Sequence, residues 1–391
     1  MTDPRPALGV GVVGFGWMGQ VHSRAYARLL HHYPDTALVP RLVAAADTDA
    51  GRRAQATRAY GFDSVVDDWA ALVARPDVDV VSVAGPNFVH RDVAVAAARA
   101  GKHVWVEKPV GRDLADTAEV AEAVREAGVR SAVGFNYRNA PAVDLARGTV
   151  SAGRLGAVET VRVQLSSDYA AHPDAALSWR FDPAYAGSGV IGDLASHGLD
   201  LIRHVVGAAA GDLTELVADR ATFIRERREP AAGAVSHYSR AGGGCTGPVG
   251  NEDHVSALLR FAGGARGVLE SSRVAVGEQC TYGIEVHGDR GALAWDFRRM
   301  GELRLAVDEG YTDVAWRTVA VAPGAGDFAM FQPGAGIAMG YDDLKVVEAE
   351  RLVRSIAEDR PLGATVEDAL LAARGVDALV RSASDHGWVR V

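Results

Sequence analysis

Asp193 and His197 stand four residues apart, directly after the glycine-rich stretch that runs from Gly187 to Gly192. On a helix, that spacing places an acid and an imidazole on one face, where both can address one bound molecule. Oxidising a secondary alcohol requires a base for the hydroxyl proton, and an imidazole with a reference pKa of about 6.5 suits that task near neutrality. His197 is the candidate base. Asp193, close to a helix N-terminus that favours its anion, is the candidate for binding a neighbouring hydroxyl and orienting the imidazole. Lys108 stands in Glu107-Lys108-Pro109, which closes the strand His103 to Val106. A lysine at a buried strand end is costly to desolvate without partners, so it is read as the group that stabilises a developing alkoxide. Tyr137, Arg138, Asp168 and Trp179 are candidates for further hydroxyl contacts and an apolar wall, with ordinary core packing or ion pairing as the competing reading.

The elements that must hold these groups begin with an apolar strand, Leu8 to Val13, that breaks into Gly14-Phe15-Gly16-Trp17-Met18-Gly19 before a helical pattern from Gln20 to Leu30. This is G-x-G-x-x-G with a strand before it and a helix after it, the setting in which the motif cradles a dinucleotide pyrophosphate at a helix N-terminus. A second strand, Arg41 to Ala46, ends in Asp47, placed to accept the adenosine ribose hydroxyls and to repel a 2′-phosphate, so NAD is expected over NADP. That acid usually follows the glycines by about 20 residues. In this chain 31 to 40 reads as an inserted loop, and the competing reading is that Asp47 or Asp49 only caps the next helix.

Strands and helices keep alternating: Ser64 to Val66, Val78 to Ala84, a helix from Val89 to Ala100, His103 to Val106, a helix from Leu114 to Ala127, and extended Ser131 to Tyr137. Repeated βα units predict a doubly wound parallel sheet with ligands beyond the carboxyl ends of its strands. Two such ends carry Pro86, Asn87 and His90, and Glu107 and Lys108, which are therefore placed at the cofactor.

After Arg138 the pattern changes. A helix from Ala142 to Ala152 and alternating Val158 to Leu165 precede the Asp193/His197 helix, and extended segments follow at 255–261, 267–272, 282–287, 292–296 and 314–321. Short turns between them predict an α+β domain with a large, mostly antiparallel sheet, open on one face. The expected division is a Rossmann domain over 1–138 and a substrate-binding and oligomerisation domain over 139–391, whose C-terminal helix can return to the first. Residues 229–250 and 322–340 read as long surface loops, and 341–358 and 366–383 as helices.

The 391 residues exceed what a single core supports, and a formal charge of -9 argues against a nucleic-acid surface. Two cysteines, Cys245 and Cys280, are too few for a disulfide framework, and no apolar run reaches the roughly 20 residues of a membrane span. With an N-terminus that lacks a cationic leader, these features predict a cytoplasmic protein without a membrane partner.

The motifs GFGWMG, AGPNFVH, EKP at 107–109, GFNYR at 134–138 and AGSGVIGDLASHGLD at 186–200 occur together and in this order. In that combination the chain resembles the Gfo/Idh/MocA oxidoreductases over essentially its whole length. SRAYA near 23, NYRNAPAV at 136–143, LSWRF at 177–181 and GYDDLKVVEA at 340–349 are most similar to the levoglucosan dehydrogenase branch. The resemblance implies reversible NAD-dependent oxidation of a ring hydroxyl of a sugar, anhydrosugar or cyclitol, and a homodimer or homotetramer formed through the open sheet. It also implies that Lys108, Asp193 and His197 are the catalytic set, and that Trp179 and Arg180 lie near nicotinamide and substrate. An inositol dehydrogenase and a glycoside 3-dehydrogenase remain alternatives within that chemistry. Two other classes stay open. Asp193, His197, Asp200 and His204 share a helical stripe that could ligate a metal for a hydrolase or lyase, which leaves the glycine motif unexplained. A non-catalytic dinucleotide and sugar sensor would keep the fold.

Overall fold

The computed structural model describes residues 4–230, 241–307 and 313–391. It separates into two compact units, one of residues 1–139 and 339–370, the other of residues 140–338 and 371–391. The first unit thus takes in a late segment that the sequence pattern assigns to the second domain.

In the first unit, β1 (Ala7–Val13), β2 (Val39–Ala46), β3 (Ser64–Val66), β4 (Val80–Val83), β5 (His103–Val106) and β6 (Ser131–Val133) form one sheet in the order β3-β2-β1-β4-β5-β6. All neighbours pair in parallel. Val10, Val12, Val80, Val81, Val83, Val104 and Val106 are fully enclosed, as strands covered by helices on both faces require. The helices are α1 (Trp17–His32), α2 (Ala50–Tyr60), α3 (Trp69–Val73), α4 (Asn87–Arg99) and α5 (Leu114–Ala127). Their ends follow local chemistry: the Asp113 side chain accepts from the Asp116 N–H at the start of α5, and left-handed Gly128 closes it. The inserted loop is shorter than expected because α1 runs on to His32. The extended segment expected to reach Tyr137 stops at Val133, and Asn136–Asn139 turn into a 3-10 helix.

The second unit opens with α6 (Pro141–Ser151) and β7 (Val158–Ser166), then passes through a 3-10 turn at Trp179–Phe181 and α7 (Pro183–Ala186). A π-helical turn over Ile191–Ala195 leads directly into α8 (Ser196–Ala210). The strands that follow are β8 (Leu213–Ala221), β9 (Glu226–Pro230), β10 (Ala241–Pro248), β11 (His254–Phe261), β12 (Arg266–Ser272), β13 (Thr281–Gly288), β14 (Gly291–Asp296), β15 (Glu302–Val307), β16 (Arg317–Ala320) and, at the C-terminal end, β17 (Val389–Arg390).

Among the described residues nine strands form one sheet in the order β16-β15-β14-β13-β7-β12-β11-β8-β17. Only the β7–β12 pair is parallel, so the sheet is mixed but mostly antiparallel. Buried and exposed positions alternate along β11 and β12, which leaves one face uncovered within the chain. The segment 229–250, read as a loop, instead contributes to the β9–β10 hairpin, although residues 231–240 lie outside the described residues.

Two late helices lie between β16 and β17, α9 (Tyr341–Ala357) and α10 (Val366–Asp385). α9 belongs to the first unit. Its first turn is tied to α1 by Arg24 with Asp342 at 2.6 Å and by Arg28 with Asp343 at 2.5 Å.

Candidate active site

In the first unit the glycine turn lies at the point where strand order reverses, between β1 and β4. Gly14 has a φ of 85°, and a Cβ placed there would stand 2.5 Å from Gly85, just beyond β4, so a glycine at 14 is needed for these strand ends to meet. A Cβ on Gly19 would lie 2.0 Å from the Gly14 carbonyl oxygen, which fixes how closely α1 packs on the turn. Gly16 caps α1 without a side-chain hydrogen bond. Only the Arg52 guanidinium, at 3.9 Å, comes near the space its Cβ would fill. An uncapped helix start behind an open glycine position is the cradle a pyrophosphate needs, so these residues fit NAD.

Asp47 is 9% exposed and holds the turn directly. Its Oδ2 accepts the Phe15 N–H at 2.7 Å and its Oδ1 accepts the Asp49 N–H at 2.8 Å. The capping role belongs to Asp49, whose side chain accepts from the Arg52 N–H at the start of α2. Arg52 also brings a guanidinium to 3.5 Å from Asp47. Phe15 faces the core, edge-on to Tyr60 and Phe62, so any part it plays at the cofactor runs through its backbone. Trp17 is 57% exposed and stacks on Tyr341 with ring centroids 5.3 Å apart, while the Tyr341 hydroxyl meets Met18 Sδ at 3.7 Å.

Several of the residues expected at cofactor and substrate also make contacts within the protein. His90 bridges two strand ends, with its ring nitrogens 2.8 Å from the carbonyl oxygens of Gly85 and Pro109. Burial lowers its pKa, and the two carbonyls oppose that shift. Pro86 caps α4, at whose first position Asn87 stands.

The Glu107 side chain is turned into a buried ion cluster. It accepts from Lys345 Nζ at 2.5 Å and sits 2.9 Å from His22 Nε2, and Lys345 also reaches Glu348 at 2.9 Å. Trp105 Nε1 donates to the same Glu348 oxygen at 2.6 Å. Buried charges persist only when paired in this way, and Lys345 holds the Glu107 carboxyl below the usual range against the cost of burial. Glu107 thereby anchors the strand end from which half-buried Lys108 emerges before a cis Lys108–Pro109 bond.

Arg138 is similarly engaged, 4% exposed and 3.1 Å from Asp368 at the start of α10. Ion pairing, one of the two readings the sequence leaves open for Arg138, is thus present. Tyr137 lies half-buried in the same 3-10 turn.

In the second unit Asp193 sits in the π turn and His197, 7% exposed, at the second position of α8, on one continuous helical stretch. The first donors of this turn do not serve Asp193. The Val190 N–H goes to the Glu252 carbonyl and the Ile191 N–H to the Glu252 carboxylate, both at 3.0 Å.

Asp193 instead accepts a hydrogen bond from the Tyr169 hydroxyl at 2.7 Å, a partner that no sequence pattern announced. Gly198 fixes the position of His197, because a Cβ there would stand 2.7 Å from Leu165 and 2.8 Å from Val163 on β7. Trp179 and Arg180 stack on each other at 4.3 Å, and the Arg180 carbonyl accepts from Asn251 at 2.8 Å. Asp168 has a long contact of 3.5 Å with Gln279. Among the described residues no group of three or more His, Cys, Asp or Glu side chains is arranged to hold a metal.

A parallel sheet ordered as in dinucleotide-binding domains, with a glycine cradle at its reversal point, defines a nicotinamide-dependent oxidoreductase domain joined to a unit with a large open sheet. Residues 8–135 match the NAD-binding Rossmann fold of the Gfo/Idh/MocA oxidoreductase family and residues 143–294 match that family's C-terminal domain. The chain belongs to this family. It is 35% identical to the levoglucosan dehydrogenase of Pseudarthrobacter phenanthrenivorans over 98% of both chains. It is 28% identical to an inositol 2-dehydrogenase of Rhizobium meliloti over 97% of this chain and 98% of that one. A solved levoglucosan dehydrogenase in complex with NADH and levoglucosan superimposes with a TM-score of 0.90, at 33% identity over 98% of this chain and 99% of that one.

Proposed function

We propose that this chain is an NAD-dependent dehydrogenase that oxidises a secondary ring hydroxyl of an anhydrosugar, a related pyranose or a cyclitol to the ketone, reversibly. The observation that carries the reading is the glycine cradle braced by Asp47, in a chain that aligns end to end with sugar and cyclitol dehydrogenases. The turn from Gly14 to Gly19 would hold the pyrophosphate and Asp47 the adenosine ribose. Bound NAD supplies the two-electron acceptor that takes the carbinol hydride.

The remaining chemistry falls to side chains. His197 takes the hydroxyl proton, Lys108 stabilises the alkoxide as the C–O bond gains double-bond character, and Asp193 binds an adjacent hydroxyl. Trp179 offers an apolar wall to the ring, and Tyr137 and Asp168 offer further hydroxyl contacts.

Steady-state reduction of NAD with a panel of levoglucosan, 1,5-anhydrosugars, inositols and methyl glycosides tests the reading. Activity confined to ring hydroxyls supports it; no NADH from any member of the panel overturns it.

We further infer a homodimer or homotetramer formed through the open sheet face, where Leu258 and Val268 are 52% and 42% exposed. Light scattering that finds only monomer contradicts this. Among the described residues no helix is long and apolar enough to cross a membrane. Two exposed free thiols, Cys245 and Cys280, fit a reducing compartment such as the cytoplasm.

A further inference from the structure

Tyr169 is built into the second unit with more care than a loop residue needs. Its ring packs against the buried cluster of Ala170, Phe181 and Val249, beside Leu177 and Val274. Phe181 is itself held between two guanidiniums, Arg227 at 4.4 Å and Arg273 at 4.7 Å. The backbone on either side of Tyr169 is tied to the end of β12. Ser167 N–H donates to the Ser272 carbonyl at 2.8 Å and Ala170 N–H to the Arg273 carbonyl at 3.0 Å. Arg227 gathers the carbonyls of Ala170 and His172 from the other side. Arg273 is fixed in turn by Asp253 at 2.8 Å and Asn251 at 2.9 Å. All this order converges on one polar atom, the hydroxyl that meets Asp193 at 2.7 Å.

We propose that Tyr169 is a positioning residue for the dehydrogenase reaction: its hydroxyl donates permanently to Asp193, holding that carboxylate ionised and in one orientation for substrate. The inference rests on the dehydrogenase function proposed for this chain.

Desolvation, and then the Asp193 charge, push the Tyr169 phenol well above its ordinary range, so it remains a donor throughout the pH range of the enzyme. Arg273 and Arg180 act on Tyr169 with their charges, and Tyr282 on β13 feels Asp193 while burial raises its pKa. Guanidiniums and a phenol raised in this way do not titrate across the working range. His197, the proposed base four residues beyond Asp193, is an imidazole that does, so the acid limb of turnover does not isolate Asp193 and the readout is a direct titration of that carboxyl.

Tyr169→Phe keeps the ring and its packing and removes only the hydroxyl. Loss of a hydrogen bond to a charged group is expected to lower kcat/KM about ten- to hundredfold. NAD affinity and the melting temperature should stay as in wild type. In an Asp193→Asn background the second substitution should cost almost nothing more, because the charge it serves is gone. A titration that needs no turnover completes the test: the Asp193 carboxyl carbon, assigned by the loss of its NMR signal in Asp193→Asn, should titrate about one unit higher in NAD-loaded Tyr169→Phe. An unchanged carboxyl titration, or fully multiplicative effects in the double variant, overturn the proposal. Failure of the wild-type chain to turn over any sugar overturns the dehydrogenase reading instead, and the NMR titration still decides whether Tyr169 governs Asp193.

Discussion

Asp47 and Phe15, 32 residues apart in sequence, are joined by a hydrogen bond of 2.7 Å from the Phe15 backbone N–H to the Asp47 carboxylate. One side chain thus braces the dinucleotide turn, and in the proposed reading it also offers its charge to the ribose. Both jobs fall to a group whose two oxygens each already accept one backbone N–H.

Asp47→Ala is therefore expected to do more than relax cofactor choice. Losing a charged acceptor weakens NAD binding about ten- to hundredfold by calorimetry. The ratio of NADP to NAD activity should rise at the same time, since the repelling charge is gone and Arg52 stands beside the site. An unchanged ratio would assign ribose reading to another residue.

The buried ion cluster beneath Lys108 sets an acid limit on stability. Desolvation, chiefly, lowers the His22 pKa from 6.5 to about 4. Between those values the unfolded chain binds a proton that the folded chain refuses, so stability falls as pH drops through that window, by about 3 kcal/mol for this group alone. Glu107, whose pKa is also lowered in the fold, adds a loss in the same direction below about 4.5. Urea unfolding of wild type and His22→Gln at pH 4.5 and 7 checks the sign. The variant should lose less stability on acidification, and a steeper loss would show that the buried His22 imidazole is not the source of the acid sensitivity.

Glu252 offers a third test, because it caps the π turn that carries Asp193 while its own pKa is raised by burial. A carboxyl with a raised folded pKa contributes stability below its unfolded pKa that is lost as pH rises through the folded one. Glu252→Gln keeps an acceptor for the Ile191 N–H and removes the buried charge, so its stability should respond less to rising pH than that of wild type. Glu252→Leu leaves that N–H orphaned and should cost about 1–3 kcal/mol in urea unfolding, together with turnover. Equal behaviour of the two variants would deny Glu252 a capping role.

Much of the scaffold was legible because its elements obey local rules. Valine-rich runs such as Val80 to Val83 are what a strand buried on both faces needs, and Asp113 and Gly128 mark the ends of α5 by capping chemistry. The glycine motif was readable because its glycines answer specific clashes, Gly14 with Gly85 and Gly19 with Gly14. What stayed hidden depends on partners distant in sequence. Ala241 to Pro248 has little strand propensity, and pairing with β9 decides its state. The donors at the start of the π turn are taken by Glu252, some 60 residues further on. Lys345 carried one available signal, a lysine and Glu348 on the same helical face as Leu344 and Val347, a charged pair in an apolar stripe. Tyr169 carried none.

The division of labour between Lys108 and His197 gives the most direct test of the proposed reaction. Lys108 leaves β5 at the end anchored by Glu107 and His90, and His197 is fixed on α8 by the close approach of Gly198 to β7. Neither belongs to the glycine turn that would hold the pyrophosphate. His197→Ala removes the base and should lower kcat about 10²- to 10⁴-fold, with the loss shrinking as rising pH supplies hydroxide in its place. Lys108→Ala removes the cation that meets the alkoxide and should lower kcat by a similar factor, about 10²- to 10³-fold, without that recovery. NAD affinity should be nearly unchanged in both. Collapse of NAD binding in either variant, or turnover close to wild type in both, would remove these residues from the chemistry and return the search to Asp193 and its surroundings.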